Sequence, residues 1–298
     1  MLPTFVIGLR EALEAALIVG IIATFLAQKG RRDAFRAMWA GVGIALALCA
    51  GVAVALRITE DNLPQRQQEG LATIVAVLAV AMVTSMIIWM RRHARGLKGD
   101  LEDKAGAALV AGSVGPLVLM AFLAVLREGF ETAVFLLAAF QAAREPVAAG
   151  GGALLGLVVA AAIGYGIYRG GVRLNLERFF RFTGFVLVLV AGGLLATAAH
   201  TAHEAGWLAA GQAEVFNLRW LVDPGSVRSA LLTGMLGIQP QPVVAEVIVW
   251  LAYVIPMGIL VLWPSRPSSA RRLANTPVAV AVGAALTAGL IAAVTLVG

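Results

Sequence analysis

The chain has 298 residues, of which 60% are hydrophobic and only 13% charged, and this composition excludes water as its main solvent. No polar stretch is long enough to bury a core of its own, which excludes several soluble domains, and the single Cys49 excludes an internal disulfide or a cysteine metal cluster. The formal net charge of +6 lies in the connections between apolar runs, where it acts as a topology signal and excludes nucleic acid as a partner.

The expected class is all-α, a polytopic transmembrane helical bundle of about 8 spans forming one transporter domain over 1-298. A bilayer span needs about 20 mainly apolar residues. Residues 3-27, 37-56, 70-90, 115-140, 151-168, 182-205, 245-263 and 277-297 meet that requirement. The first lacks a basic leader and is interrupted by Arg10, so it is expected as a retained span and not a cleaved signal. Pro256 is expected to kink the seventh.

The first span contains Leu9-Arg10-Glu11-Ala12-Leu13-Glu14, and the fourth contains Leu126-Arg127-Glu128-Gly129-Phe130-Glu131. Charges at bilayer depth cost roughly 2.5–3.5 kcal/mol each even on the lenient insertion scale, so they normally turn inward and serve function. Orientation follows from the basic residues. The odd-numbered connections carry Lys29, Arg31, Arg32 and Arg36, then Arg91, Arg92, Arg95, Lys98 and Lys104, then Arg169, Arg173, Arg178 and Arg181, then Arg266, Arg271 and Arg272. The other side carries only Arg57, Arg66, Arg144, Arg219 and Arg228, so both termini are expected outside.

With that topology the two motif helices run antiparallel. Residues 1-90 and 112-206 then read as a 3+3 inverted-topology repeat, an arrangement that places transporter sites at the midplane between halves. Residues 207-298 hold an external interfacial segment plus spans seven and eight. Within that segment Ala213 to Asp223 and Ser226 to Met235 are amphipathic patterns broken at Pro224-Gly225 and expected as interfacial helices, with Trp207 and Trp220 suited to the interface.

On a helix, Arg10 and Glu14 are four residues apart and Glu11 and Glu14 three, so the three crowd toward one face, as do Arg127, Glu128 and Glu131. Together the two motifs bring two guanidiniums and four carboxylates, a residual charge that suits a cation. Carboxylate oxygens are hard ligands for Mg, Ca, Mn or iron, whereas arginine neither ligates a metal nor loses its proton. Arg10 and Arg127 are therefore read as ion-pair support. The competing reading is that Arg10-Glu14 and Arg127-Glu131 are buried ion pairs that fix helix packing. The additional Glu11 and Glu128 favour the ion site.

At the outer end of the sixth span, His200-Thr201-Ala202-His203-Glu204 offers metal ligands at helical spacing. The order is not that of a His-Glu-x-x-His protease, and the competing reading is that both histidines hydrogen-bond neighbouring helices or face interfacial water. Glu246 and Glu69 are further acidic candidates for the external mouth. Met82, Met86 and Met90 form a stripe read as packing. Gly41, Gly43, Gly152, Gly156, Gly192 and Gly193 are read as points of close helix approach. No phosphate loop, nucleotide fingerprint or catalytic triad spacing occurs.

The paired Arg-Glu-x-x-Glu motifs at Arg10–Glu14 and Arg127–Glu131, with His203-Glu204-Ala205-Gly206-Trp207, resemble the oxidase-dependent iron permeases, comprising the bacterial EfeU proteins and the fungal high-affinity iron permeases. The resemblance covers roughly residues 1-263. It implies iron import across the bacterial inner membrane, with a periplasmic N-terminus and with Glu11, Glu14, Glu128 and Glu131 binding iron along the path. It also implies iron as the substrate with no organic cofactor, and periplasmic cupredoxin-type and haem peroxidase partners. The chain departs from the family's seven spans by its eighth, residues 277-297. The alternatives are a transporter of another divalent cation such as lead or manganese, an intramembrane metalloenzyme built on His200, His203 and Glu204, and a metal sensor.

Overall fold

The apolar runs become seven long helices among the described residues. The computed structural model describes residues 1–28, 30, 32–93, 115–143, 145–169, 176–215, 217–218, 232–233, 237 and 239–262. The helices are α1 (Leu2–Gln28), α2 (Arg32–Asp61), α3 (Gln65–His93), α4 (Gly115–Gln141), α5 (Pro146–Tyr168), α6 (Leu176–Glu204) and α7 (Val244–Leu262). Stretches of α2, α3, α5, α6 and α7 are long and apolar enough to cross a membrane. The other two helices, α1 and α4, are 27 residues each and carry the charged motifs. The expected eighth span at 277-297, the external segment over 219-231, and the loop residues Lys29, Arg31, Arg95, Lys98, Lys104, Arg144, Arg173, Arg266, Arg271 and Arg272 lie outside the described residues.

Several helices run past their apolar stretch, because only the part in hydrocarbon must be apolar. α2 continues to Asp61, where Arg57 and Glu60 pair at 3.0 Å one turn apart. α5 starts five residues before the expected 151, at Pro146. Proline's fixed φ suits the first helical position, and it holds Glu145 extended at φ −126°. Pro256 lies inside α7, which stays helical across it.

One element differs from expectation. The start of the first amphipathic pattern, Ala213–Val215, is not helical: Glu214 forms an isolated antiparallel bridge with Val243. Val215 N donates to Pro242 O at 3.1 Å, and Val244 N donates to Ala213 O at 3.0 Å. The bridge partner is the segment leading into α7, an arrangement that helical periodicity does not register.

The chain divides into two compact units. The first comprises Met1–Asn62, Arg92–Phe140 and Glu145–Thr183. Here α1 lies directly on α5. A Cβ added to Gly156 would come 2.7 Å from the Leu9 backbone nitrogen, so only glycine permits this approach. α4 also touches α2, through a side chain: a Cβ on Gly129 would lie 2.7 Å from Cys49 Sγ. Gly43, by contrast, has nothing within 4 Å of a Cβ, so close approach does not explain that glycine. Val19, Ile22 and Leu26 of α1 pack with Met38 of α2 and Leu117 and Ala121 of α4 in a buried cluster.

The second unit comprises Leu63–Arg91, Gln141–Arg144 and Gly184–Gly298. Buried hydroxyls join its helices: Thr73 to Thr201 at 2.7 Å between α3 and α6, and Thr84 to the Tyr253 hydroxyl at 2.9 Å between α3 and α7. Such bonds between helices in lipid contribute about 0.6 kcal/mol on average. Two residues beyond the end of α6 at Glu204, the chain turns away at Gly206, whose φ of +77° favours glycine. Arg66 Nε donates to the Ala205 carbonyl at 2.9 Å and fixes that end.

Candidate functional site

The charged motifs of the first unit meet in its interior. One turn of α1 points Arg10, Glu11 and Glu14 inward, and all three are buried. Arg10 is 1% exposed; its Nη1 lies 3.1 Å from Glu11 Oε1 and its Nη2 lies 3.0 Å from Glu14 Oε1. One planar guanidinium thus holds two carboxylates, as its fork geometry allows. The Phe180 ring, 5.9 Å from the guanidinium carbon, covers the same group. Nothing in the sequence marks Phe180, which lies far from α1 along the chain.

On α4, Arg127 Nε pairs with Glu131 Oε1 at 2.9 Å and approaches Glu128 Oε1 at 3.8 Å. The two arginines differ in setting, because the Arg127 side chain is 55% exposed while Glu128 and Glu131 beneath it are buried. Between the helices, Glu11, Glu128 and Glu131 each direct one carboxylate oxygen into a common space, with the three oxygens within 4.8 Å of one another. Glu14 stands outside this group of three, held by Arg10.

These like charges repel. At the 4.8 Å limit each pair of ionised carboxylates costs about 3.5 kcal/mol in a medium of effective dielectric about 20. Glu11 Oε2, Glu128 Oε2 and Glu131 Oε2 are also buried without hydrogen-bond partners. Unpaired buried carboxylate oxygens are costly. Convergent, buried and only partly satisfied oxygens are the arrangement that a hard cation relieves. Glu11 and Glu128 also face a cavity of about 820 Å³ between α1, α2, α4 and α5, whose wall is otherwise mainly apolar, with Val19, Phe35, Trp39, Cys49 and Tyr165.

The remaining sequence candidates belong to the second unit. His200 Nδ1 lies 3.1 Å from Glu246 Oε1, and His200 Nε2 lies 3.5 Å from Glu204 Oε1. His203 turns the other way, its Nδ1 donating to the Leu208 carbonyl at 2.7 Å. Glu69 is half-buried on α3, and its charge reaches His200.

Comparison with known proteins gives this geometry a context. Residues 1–294 match the family model described as the iron permease FTR1 family. The chain is 41% identical over 271 residues to the "Ferrous iron permease EfeU" of Escherichia coli O157:H7, covering 89% of this chain and 97% of that relative. It is 41% identical over 278 residues to the protein of the same name from Yersinia pestis, covering 92% and 98%. It is also 42% identical over 273 residues to the "Putative inactive ferrous iron permease EfeU" of Escherichia coli strain K12. No solved structure matches it. The chain therefore belongs to the FTR1 iron permease family.

Proposed function

We propose that this multi-pass membrane protein carries ferrous iron inward through a site formed by Glu11, Glu128 and Glu131, with Glu14 as a fourth carboxylate in reserve. Family membership makes it an iron permease, a transporter and not an enzyme. The observation that carries the finer reading is the convergence of three buried carboxylates from two helices on one point. Charge balance supports the ferrous ion. The four glutamates and two arginines of the motifs sum to a formal charge of −2, which a divalent ion balances and a trivalent ion exceeds. The name of the relatives also specifies ferrous iron.

The glutamates bind and the arginines position. Ligation by Glu11, Glu128 and Glu131 offsets the loss of the ion's hydration shell, while Arg10 and Arg127 hold carboxylates aimed between loads. Release requires the oxygens to separate. Helix packing in the first unit supports an inverted repeat over 1-90 and 112-206: the first helix of each half lies on the second helix of the other, α1 on α5 and α4 on α2. Such a repeat allows alternating access by rocking.

The reading extends to the inner membrane with a periplasmic N-terminus, by the basic-residue asymmetry. It also extends to periplasmic cupredoxin-type and haem peroxidase partners, by the family resemblance. The test is radiolabelled iron uptake by proteoliposomes containing the purified chain. Accumulation of ferrous iron, abolished by Glu11→Gln and by Glu128→Gln, is expected. Accumulation of manganese or lead, with no uptake of iron and no competition by it, would transfer the site to another divalent cation.

A further inference from the structure

The second unit holds a separate set of metal-ligating side chains where α6 ends. Glu246 is 3% exposed, and its Oε1 lies 3.1 Å from His200 Nδ1. A buried carboxylate against one imidazole nitrogen selects the tautomer of the neutral ring in which Nδ1 donates to Glu246 and Nε2 presents its lone pair. That lone pair is directed toward Glu204, whose Oε1 lies 3.5 Å away. Both side chains are about half exposed, at 47% and 45%, and are open to an arriving ion.

The separation suits a bridged pair better than a hydrogen bond. Two donors 3.5 Å apart, each about 2.1 Å from one ion, subtend an angle of about 110° at it, within the range of tetrahedral or distorted octahedral coordination. Glu246 Oε2 has no hydrogen-bond partner, so the buried carboxylate keeps an unsatisfied acceptor oxygen close behind the imidazole. Glu69 adds negative potential from α3. A structural His200–Glu246 pair would need neither the exposed Nε2 nor Glu204 facing it. His203 does not join, because its Nδ1 is committed to the Leu208 carbonyl.

We propose that His200 Nε2 and Glu204 form a second cation site, with Glu246 as its positioning residue. The mixed nitrogen and oxygen donors select borderline divalent ions of the first transition row over magnesium or calcium. Two protein ligands leave the other positions to water, so the ion is held loosely and exchanges quickly. The charge-derived topology puts this end of α6 on the outer face, where a loosely held ion is loaded for transport; this assignment as a loading site rests on the proposed iron import.

The test uses Co²⁺ binding to the full-length protein, followed by calorimetry and visible absorption, in an E11Q/E128Q background that removes the carboxylate site. About one Co²⁺ per chain is expected to remain. Both H200A and H200Q should abolish it, and E246Q should weaken it by about 10–100-fold without moving the melting temperature. In the otherwise unaltered protein, H200Q should raise the KM for iron and leave the maximal rate unchanged. Co²⁺ binding insensitive to both His200 variants would overturn the site, whatever the fate of iron transport. Co²⁺ binding lost in both His200 variants, with the KM for iron unchanged in H200Q, would overturn its loading role alone.

Discussion

Arg10 and Arg127 occupy equivalent motif positions in unlike surroundings. Arg10 is enclosed and forks between Glu11 and Glu14, whereas Arg127 is half exposed and holds mainly Glu131. Lysine keeps the charge and loses the fork. Arg10→Lys is therefore expected to cut iron uptake about tenfold or more, and Arg127→Lys to cut it less; equal effects in the liposome assay would contradict the difference in setting. Removing one partner of a buried pair costs about 3–5 kcal/mol, so Arg10→Ala is expected to lower thermal stability as well as transport. The i,i+4 spacing made the pairings of Arg10 with Glu14 and Arg127 with Glu131 legible in the sequence, because helix geometry alone dictates them. Phe180 beneath Arg10 and Glu246 behind His200 depend on contacts between distant segments. Glu246 was at least visible as an acidic residue at a span's start; Phe180 gave no signal.

At the scale of elements, glycine decides where helices touch. Gly156→Ala places a Cβ against α1 and is expected to destabilise the protein by about 1–3 kcal/mol, the usual cost of overpacking, and to disturb the turn that carries Arg10 and Glu11. Gly43→Ala meets open space and is expected to leave the melting temperature unchanged. A thermal shift measurement on the two variants checks both. Seven of the helices were legible because a run of about 20 mainly apolar residues matches the thickness of the hydrocarbon layer and exceeds the apolar face of an ordinary soluble helix. Their ends were not, since polar turns such as Arg57–Asp61 extend a helix beyond the hydrocarbon and Pro146 starts one early. The bridge between Glu214 and Val243 escaped because a two-residue pairing leaves no periodic trace.

At the scale of the molecule, two short motifs on α1 and α4 are the sequence basis of the proposed repeat, and the exchange of helix partners within the first unit, α1 on α5 and α4 on α2, is the packing that such a repeat would show. The exchange itself was not legible, because motif identity says nothing about which helices touch. If both halves build the site, Glu14→Gln and Glu131→Gln should each lower uptake, with Glu131→Gln more severe because Glu131 is among the three converging ligands. Uptake unchanged in the Glu131 variant would remove that ligand from the site.

The most direct measurement is anomalous scattering at the iron edge from crystals of the ferrous-loaded protein. A single strong peak in the first unit, about 2.0–2.2 Å from oxygens of Glu11, Glu128 and Glu131, is the predicted result. Iron density confined to other residues, with those three carboxylates unligated, would contradict the carboxylate site as the place where iron crosses.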